Sequence, residues 1–270
     1  MSKVIKLAIC GGLLLCLLSC SGGSNSSGSE PSTNACNVLS LPTREFRIVN
    51  GTACDNLAQS PVVRVLLLNG SGIPVGLCTG TLVTSTSVIS AAHCFRGHFT
   101  PVINYGDQGA ARTVSVKQVH IHPNFELTSA SALNDVAVVE LSRPITDLPT
   151  LPVLASSDPQ PGEIVSIFGY GTDENGQLEA GILQSGQMRI TAINSDHIRA
   201  DYNGVGSNTC TGDSGGPLIR GAGSQAAIAG ITSTGSRTDC LAGDVSVFTN
   251  LSSAENLNFL ADIIPTLPTR

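Results

Sequence analysis

The strongest constraint on the fold is the texture of the chain beyond residue 48. Short apolar runs rich in β-branched residues are cut at close intervals by Gly, Pro, Asn and Asp. They span 62–68, 80–84, 87–90, 113–116, 135–141, 163–168, 217–219, 227–232 and 245–249. None repeats its apolar residues at helical spacing, so each reads as a short strand. With 29 Gly and 14 Pro among 270 residues, the pattern predicts an all-β sandwich or barrel. One helix is predicted, over 252–264. Ser252 or Ser253 offers a cap and Glu255 suits the first turn; Leu257, Leu260, Ile263 and Ile264 share a face, and Pro265 ends it.

Residues 1–19 read as an export signal, with Lys3 and Lys6 ahead of an apolar run, 7–18, too short to span a bilayer comfortably. The signal ends in Leu17-Leu18-Ser19-Cys20, which resembles the bacterial lipobox, although Leu18 stands where a small residue is commoner. The resemblance implies a lipid on Cys20 and a protein anchored to a membrane, facing the periplasm or the cell surface; a simple secretory signal would leave it secreted. The Gly/Ser-rich stretch 21–35 cannot form a core and reads as a flexible tether within a segment, 20–47, that precedes the main domain. Of nine cysteines, Cys10 and Cys16 leave with the signal and Cys20 carries the lipid. The remaining six, Cys36, Cys54, Cys78, Cys94, Cys210 and Cys240, suit three disulfides in an exported domain, and their spacing fits no common zinc pattern. A formal charge of -6, with no basic stripe, argues against nucleic-acid binding.

The chemistry centres on Cys210-Thr-Gly-Asp-Ser-Gly-Gly-Pro217. Small residues around Ser214 allow a sharp turn that exposes its hydroxyl. A serine hydroxyl needs a base, a group that orients the base, and donors for a developing oxyanion. His93, in Ser90-Ala-Ala-His93-Cys94, and Asp135, at the head of the run 135–141, are the candidate partners. Alone, each is an unremarkable structural residue. In the order His, Asp, Ser, with the motif around Ser214, they make the chain resemble the chymotrypsin/trypsin family of serine endopeptidases over about residues 48–264.

The resemblance implies a peptidase domain, 48–270, of two packed six-stranded antiparallel β-barrels, about 48–145 and 160–250, with a C-terminal helix and the site between the barrels. His93 would be the general base, Asp135 its orienter, Ser214 the nucleophile, and the amides of Gly212 and Ser214 the oxyanion hole; Ser233 would hydrogen-bond Asp135. Arg47-Ile48-Val49-Asn50-Gly51 is similar to the family's activation junction. Cleavage after Arg47 would free Ile48 to pair with Asp213, making the protein a zymogen with an activating protease as partner. The same resemblance pairs Cys78 with Cys94 and Cys210 with Cys240. This leaves Cys36 and Cys54 to hold the leading segment across the cleavage site.

At the base of the specificity pocket the family's Arg/Lys-specific members carry aspartate, and this chain carries Asn208, so a strong preference for Arg or Lys is not implied. The pocket walls fall at Ser233 to Gly235 and at Ser246, Gly235 leaving the entrance open. Thr234 stands where an aromatic is usual, and no acidic cluster resembles a calcium loop, so neither a metal nor another cofactor is implied. His120 and His122 alternate like strand residues without a third ligand, and His98 and His197 read as exposed. Gly169-Tyr170-Gly171 reads as a turn, and 173–179 as a solvated loop. The implied partners are a polypeptide substrate, an activating protease and a membrane held through Cys20, the protein itself being a monomer. The rival reading is a surface-tethered, catalytically weak binding module of the same fold.

Overall fold

The computed structural model describes residues 30–44, 50–107, 109–128, 131–173, 176 and 181–270. The export signal, Cys20 and the junction residues Arg47 and Ile48 lie outside the described residues. Six antiparallel strands close a barrel in the order Ala137–Leu141, Ser87–Ser90, Pro74–Thr84, Val62–Leu68, Thr100–Tyr105 and Arg112–Ile121, the last pairing with the first. Closure leaves no unpaired strand edge. Val63, Val65, Leu82, Val88, Ile89 and Ile103, all 0% exposed, belong to its core. The strand Pro74–Thr84 starts six residues earlier than its apolar run. Its first half has exposed or half-buried side chains and is held by pairing with Val62–Leu68, a main-chain effect that hydrophobicity does not report.

The second half is built on six long antiparallel strands in the order Leu183–Arg189, Ile164–Gly169, Pro217–Arg220, Ala227–Gly235, Asp244–Asn250 and His197–Tyr202. Short strands, Thr43–Arg44 with Thr52–Cys54 and Ala192–Ile193, widen the sheet to nine at its two ends. Val165, Ile167, Ile198, Leu218 and Phe248 pack inside. This is the all-β, two-part architecture expected of the sequence, with a closed barrel followed by a sheet whose six central strands form the second unit. His197, expected at the surface, is 5% exposed, because its strand pairs with Asp244–Asn250 and its Nε2 lies 2.7 Å from the carbonyl of Ala132. The C-terminal helix is Ala254–Ile263; Ser253 caps it, its Oγ accepting from the N–H of Asn256 at 3.3 Å. Phe259 packs edge-on to His122, with ring centroids 4.7 Å apart, so His122 is a buried packing residue. Among the described residues, no helix is long and apolar enough to cross a membrane.

The leading segment is part of this body and not wholly a tether. Ser32 exchanges bonds with Gln187, its N–H to Oε1 at 3.0 Å and its carbonyl from the Gln187 N–H at 2.9 Å. Ala35 and Cys36 are 0% exposed, and Thr43–Arg44 pairs antiparallel with Thr52–Cys54. The composition of 21–35 hides this, since its last residues dock through main-chain and hydroxyl bonds and not through an apolar face. Three disulfides join Cys36 to Cys54, Cys78 to Cys94 and Cys210 to Cys240.

Candidate active site

Ser214 sits on a loop pinned from both halves of the molecule. Its carbonyl accepts the N–H of Thr79 at 2.8 Å, and the Gly215 N–H donates to the carbonyl of Thr232 at 2.8 Å. Thr79 adds a second tie, its hydroxyl donating to the carbonyl of Gly212 at 2.9 Å and accepting from the N–H of Tyr170 at 3.1 Å. Gly215 has φ +84°, and a Cβ there would collide with the hydroxyl of Ser90 and the carbonyl of Thr79. Only glycine lets this turn lie so close to the first barrel. The N–H groups of Asp213, Gly215 and Gly216 are spent on internal carbonyls. Among the described residues, those of Gly212 and Ser214 have no acceptor, which leaves two main-chain donors free beside the Ser214 hydroxyl.

His93 lies in a short 3-10 turn, Ala92–Phe95, directly after the strand Ser87–Ser90. Cys94 Sγ is 3.9 Å from both His93 Nε2 and the carbonyl of Ser214, so the Cys78–Cys94 disulfide sets the imidazole beside the serine loop. His93, Cys78 and Cys94 gather three potential metal-ligating atoms, but the two sulfurs are bonded to each other. Asp135 follows Asn134, whose φ of +48° turns the chain so that the carboxylate points inward ahead of Ala137–Leu141. It is 0% exposed and accepts three bonds: from the His93 N–H at 2.8 Å, from His93 Nδ1 at 2.7 Å, and from the Ser233 hydroxyl at 2.5 Å. Burial alone would push its pKa up; the bonds from His93 and Ser233 outweigh burial and hold the carboxyl below its ordinary value. A carboxylate so fixed keeps the proton on Nδ1 and leaves Nε2 as the basic nitrogen.

Asp213, beside Ser214, has a different environment. It is 2% exposed and accepts from the N–H groups of Gly171 and Cys210, both at 2.8 Å. Burial raises its pKa to about 6, since two amide bonds do not replace the lost water. A Cβ at Gly171 would lie 2.6 Å from Asp213 Oδ1, and one at Gly169 would overlap that atom. The Gly169-Tyr170-Gly171 turn is therefore the floor under this carboxylate, a role that single-sequence reading of the turn missed. Among the described residues, Asp213 has no ion-pair partner.

A cleft of about 310 Å³ opens beside Ser214, with Ser233, Thr234 and Gly235 on one side and Thr209 and Cys210 on the other. Asn208 and Ser246 stand behind this lining, each 0% exposed. The Asn208 amide donates to the carbonyl of Cys240 at 2.9 Å and to Asp244 Oδ2 at 2.8 Å, and its oxygen accepts from the Ser246 hydroxyl at 2.7 Å. Asp244, which no motif marks, lines the cleft.

The family profile described as Trypsin matches residues 48–257. Rat chymotrypsin-like elastase family member 1 is 29% identical over 242 residues, covering 79% of this chain and 88% of the relative. Trypsin delta of Drosophila erecta is 28% identical over 203 residues, 67% of this chain and 77% of the relative. Mouse serine protease 56 is 31% identical over 197 residues, 64% of this chain and 31% of that longer protein.

Proposed function

The chain belongs to the trypsin family, and from that premise we propose that it is an exported serine endopeptidase, lipidated on Cys20 and made as a zymogen that cleavage after Arg47 activates. The observation that carries the reading is the Asp135 carboxylate, fully buried and filled by His93 and Ser233, beside a serine loop with two unspent N–H groups. Ser214 Oγ attacks the scissile carbonyl of a polypeptide, and its proton passes to His93 Nε2. The carbonyl oxygen becomes an oxyanion that the N–H groups of Gly212 and Ser214 stabilise. Asp135 stays ionised throughout and steadies the imidazolium. His93 returns the proton to the leaving amine as the acyl-enzyme forms, and water, deprotonated by the same imidazole, releases the acid. A fluorophosphonate applied to protein processed after Arg47 tests this: covalent labelling at Ser214 is expected, and absence of label sinks the reading.

The leading segment is retained in this proposal. Cleavage between Arg47 and Ile48 cuts the loop closed by the Cys36–Cys54 bridge, so the lipid-bearing piece stays attached to the active enzyme. Processed protein should run as one band on a non-reducing gel and as two after reduction. Two bands without reductant would mean that the enzyme leaves its tether on activation.

A further inference from the structure

Residues 31–36 play no part in the proposed chemistry, yet they are bound to the loop that leads into the cleft beside Ser214. The strand Thr52–Cys54 pairs with residues 183–185 and goes no further along that edge of Leu183–Arg189. Gln187 takes two other partners there. Its N–H donates to the Ser32 carbonyl at 2.9 Å, and its carbonyl accepts from the Ser207 N–H at 3.1 Å. Its side chain adds a third tie, Oε1 accepting from the Ser32 N–H at 3.0 Å. One residue thus joins the leading segment to the loop at 206–208. The contact is close: Gly206 has φ +74°, and a Cβ there would lie 2.6 Å from the Gln187 carbonyl oxygen and 2.8 Å from Pro31 Cβ. The segment is itself held in shape. Ser32 Oγ accepts from the Asn34 N–H and Asn34 Oδ1 from the Cys36 N–H, both at 3.0 Å, and Ser185 Oγ accepts from the Ala35 N–H at 3.2 Å. From Gly206 the chain passes through Ser207 and Asn208, each 0% exposed, to Thr209 and Cys210 on the cleft wall. Such packed residues carry a displacement at Gly206 on to the wall.

We propose that residues 31–36 are a permanent strap of the active enzyme, and that Gln187 is the positioning residue through which the strap fixes the cleft wall at Thr209 and Cys210. The inference rests on Ser214 being the nucleophile and on this cleft receiving the substrate. The strap acts on binding and not on the chemical step. His93 is held by Asp135, and the carbonyls of Ser214 and Gly212 are tied to Thr79 in the first barrel, all without the strap. Activity is thereby coupled to the tether, since the piece that bears Cys20 also sets the wall of the cleft.

Full-length enzyme processed after Arg47 is assayed on one peptide anilide, with active sites counted by fluorophosphonate. Gln187→Ala should raise KM about three- to tenfold, the worth of one hydrogen bond, and leave kcat within about twofold. Gln187→Glu keeps an acceptor for the Ser32 N–H and should stay near wild type. An unchanged KM in Gln187→Ala, or a fall in kcat as large as the rise in KM, overturns the proposal. Ser32→Pro removes the donor from the other side and should raise KM in the same way. Combining it with Gln187→Ala should add nothing, because both break one tie; additive effects also overturn the proposal. Protein that takes no phosphonate would refute the peptidase reading, and amide exchange then decides this one. Exchange at the Ser207 N–H should be about three- to tenfold faster in Gln187→Ala than in Gln187→Glu, and equal rates refute the strap.

Discussion

Replacing His93 with alanine is expected to lower kcat by about 10⁶-fold, and replacing Asp135 with asparagine by about 10⁴-fold. The difference follows from what each side chain touches. Without His93 nothing takes the Ser214 proton, and only the two main-chain donors and substrate binding remain. Asp135→Asn keeps the shape but brings an amide to a site that receives three donors, the His93 N–H, Nδ1 and the Ser233 hydroxyl. The asparagine N–H donates to Nδ1 and so holds the wrong imidazole tautomer, with the proton on Nε2, where it cannot accept from Ser214. Ser233→Ala should cost far less, since it removes one of three bonds and leaves the carboxylate charged. Steady-state assays on one peptide, with phosphonate labelling rates alongside, check the ranking. An Asp135→Asn enzyme within tenfold of wild type would mean that Asp135 is a structural acid and that His93 works without it.

The parts of this molecule legible in its sequence are those in which side-chain chemistry and local backbone agree. Val62–Leu68 and Ser87–Ser90 are strands over the residues their apolar runs predict, because burial alone fixes them. Leu183–Arg189 was not legible: it places Gln184 and Ser185 in the interior, at 0% exposure, and is recognisable only through its partners. The same division runs through the candidate site. The loop around Ser214 declares itself, since crowding against Ser90 and Thr79 demands glycine at a fixed offset from the serine. Asp244 does not, because its meaning depends on the pairing of Asp244–Asn250 with Ala227–Gly235, which brings a distant acid behind Gly235. A pocket assembled across strands is read from register and not from spacing. Asp244 lies 36 residues from Asn208 in the chain, and only the fold joins them, through one bond of 2.8 Å.

Blocking activation with Arg47→Gln is expected to leave a folded protein whose Ser214 reacts with phosphonate about 10²-fold more slowly at pH 7 than in processed wild type. The magnitude comes from Asp213. In the continuous chain its carboxyl, raised to about 6 by burial, must ionise at neutral pH with two amide bonds and no cation among the described residues. The unfolded value is near 3.8. The folded pKa is raised, so below about pH 4 both states carry the proton and the group costs nothing. Between about pH 4 and 6 the unfolded chain ionises first and stability falls; above pH 6 the loss is complete, at about 3 kcal/mol. That energy favours arrangements in which Asp213 leaves the Gly169–Gly171 floor, and the Gly212 N–H, adjacent in the chain, leaves with it. A free Ile48 amine would supply the missing cation and remove the cost. Urea unfolding of Arg47→Gln should therefore lose stability from pH 4 to pH 7, relative to the same protein carrying Asp213→Asn. The labelling gap between processed and unprocessed chains should narrow as pH falls from 7 to 5. A gap that stays constant with pH, or an unprocessed chain as reactive as the processed one, would remove Asp213 from the activation switch and leave the junction at Arg47 without a function in catalysis.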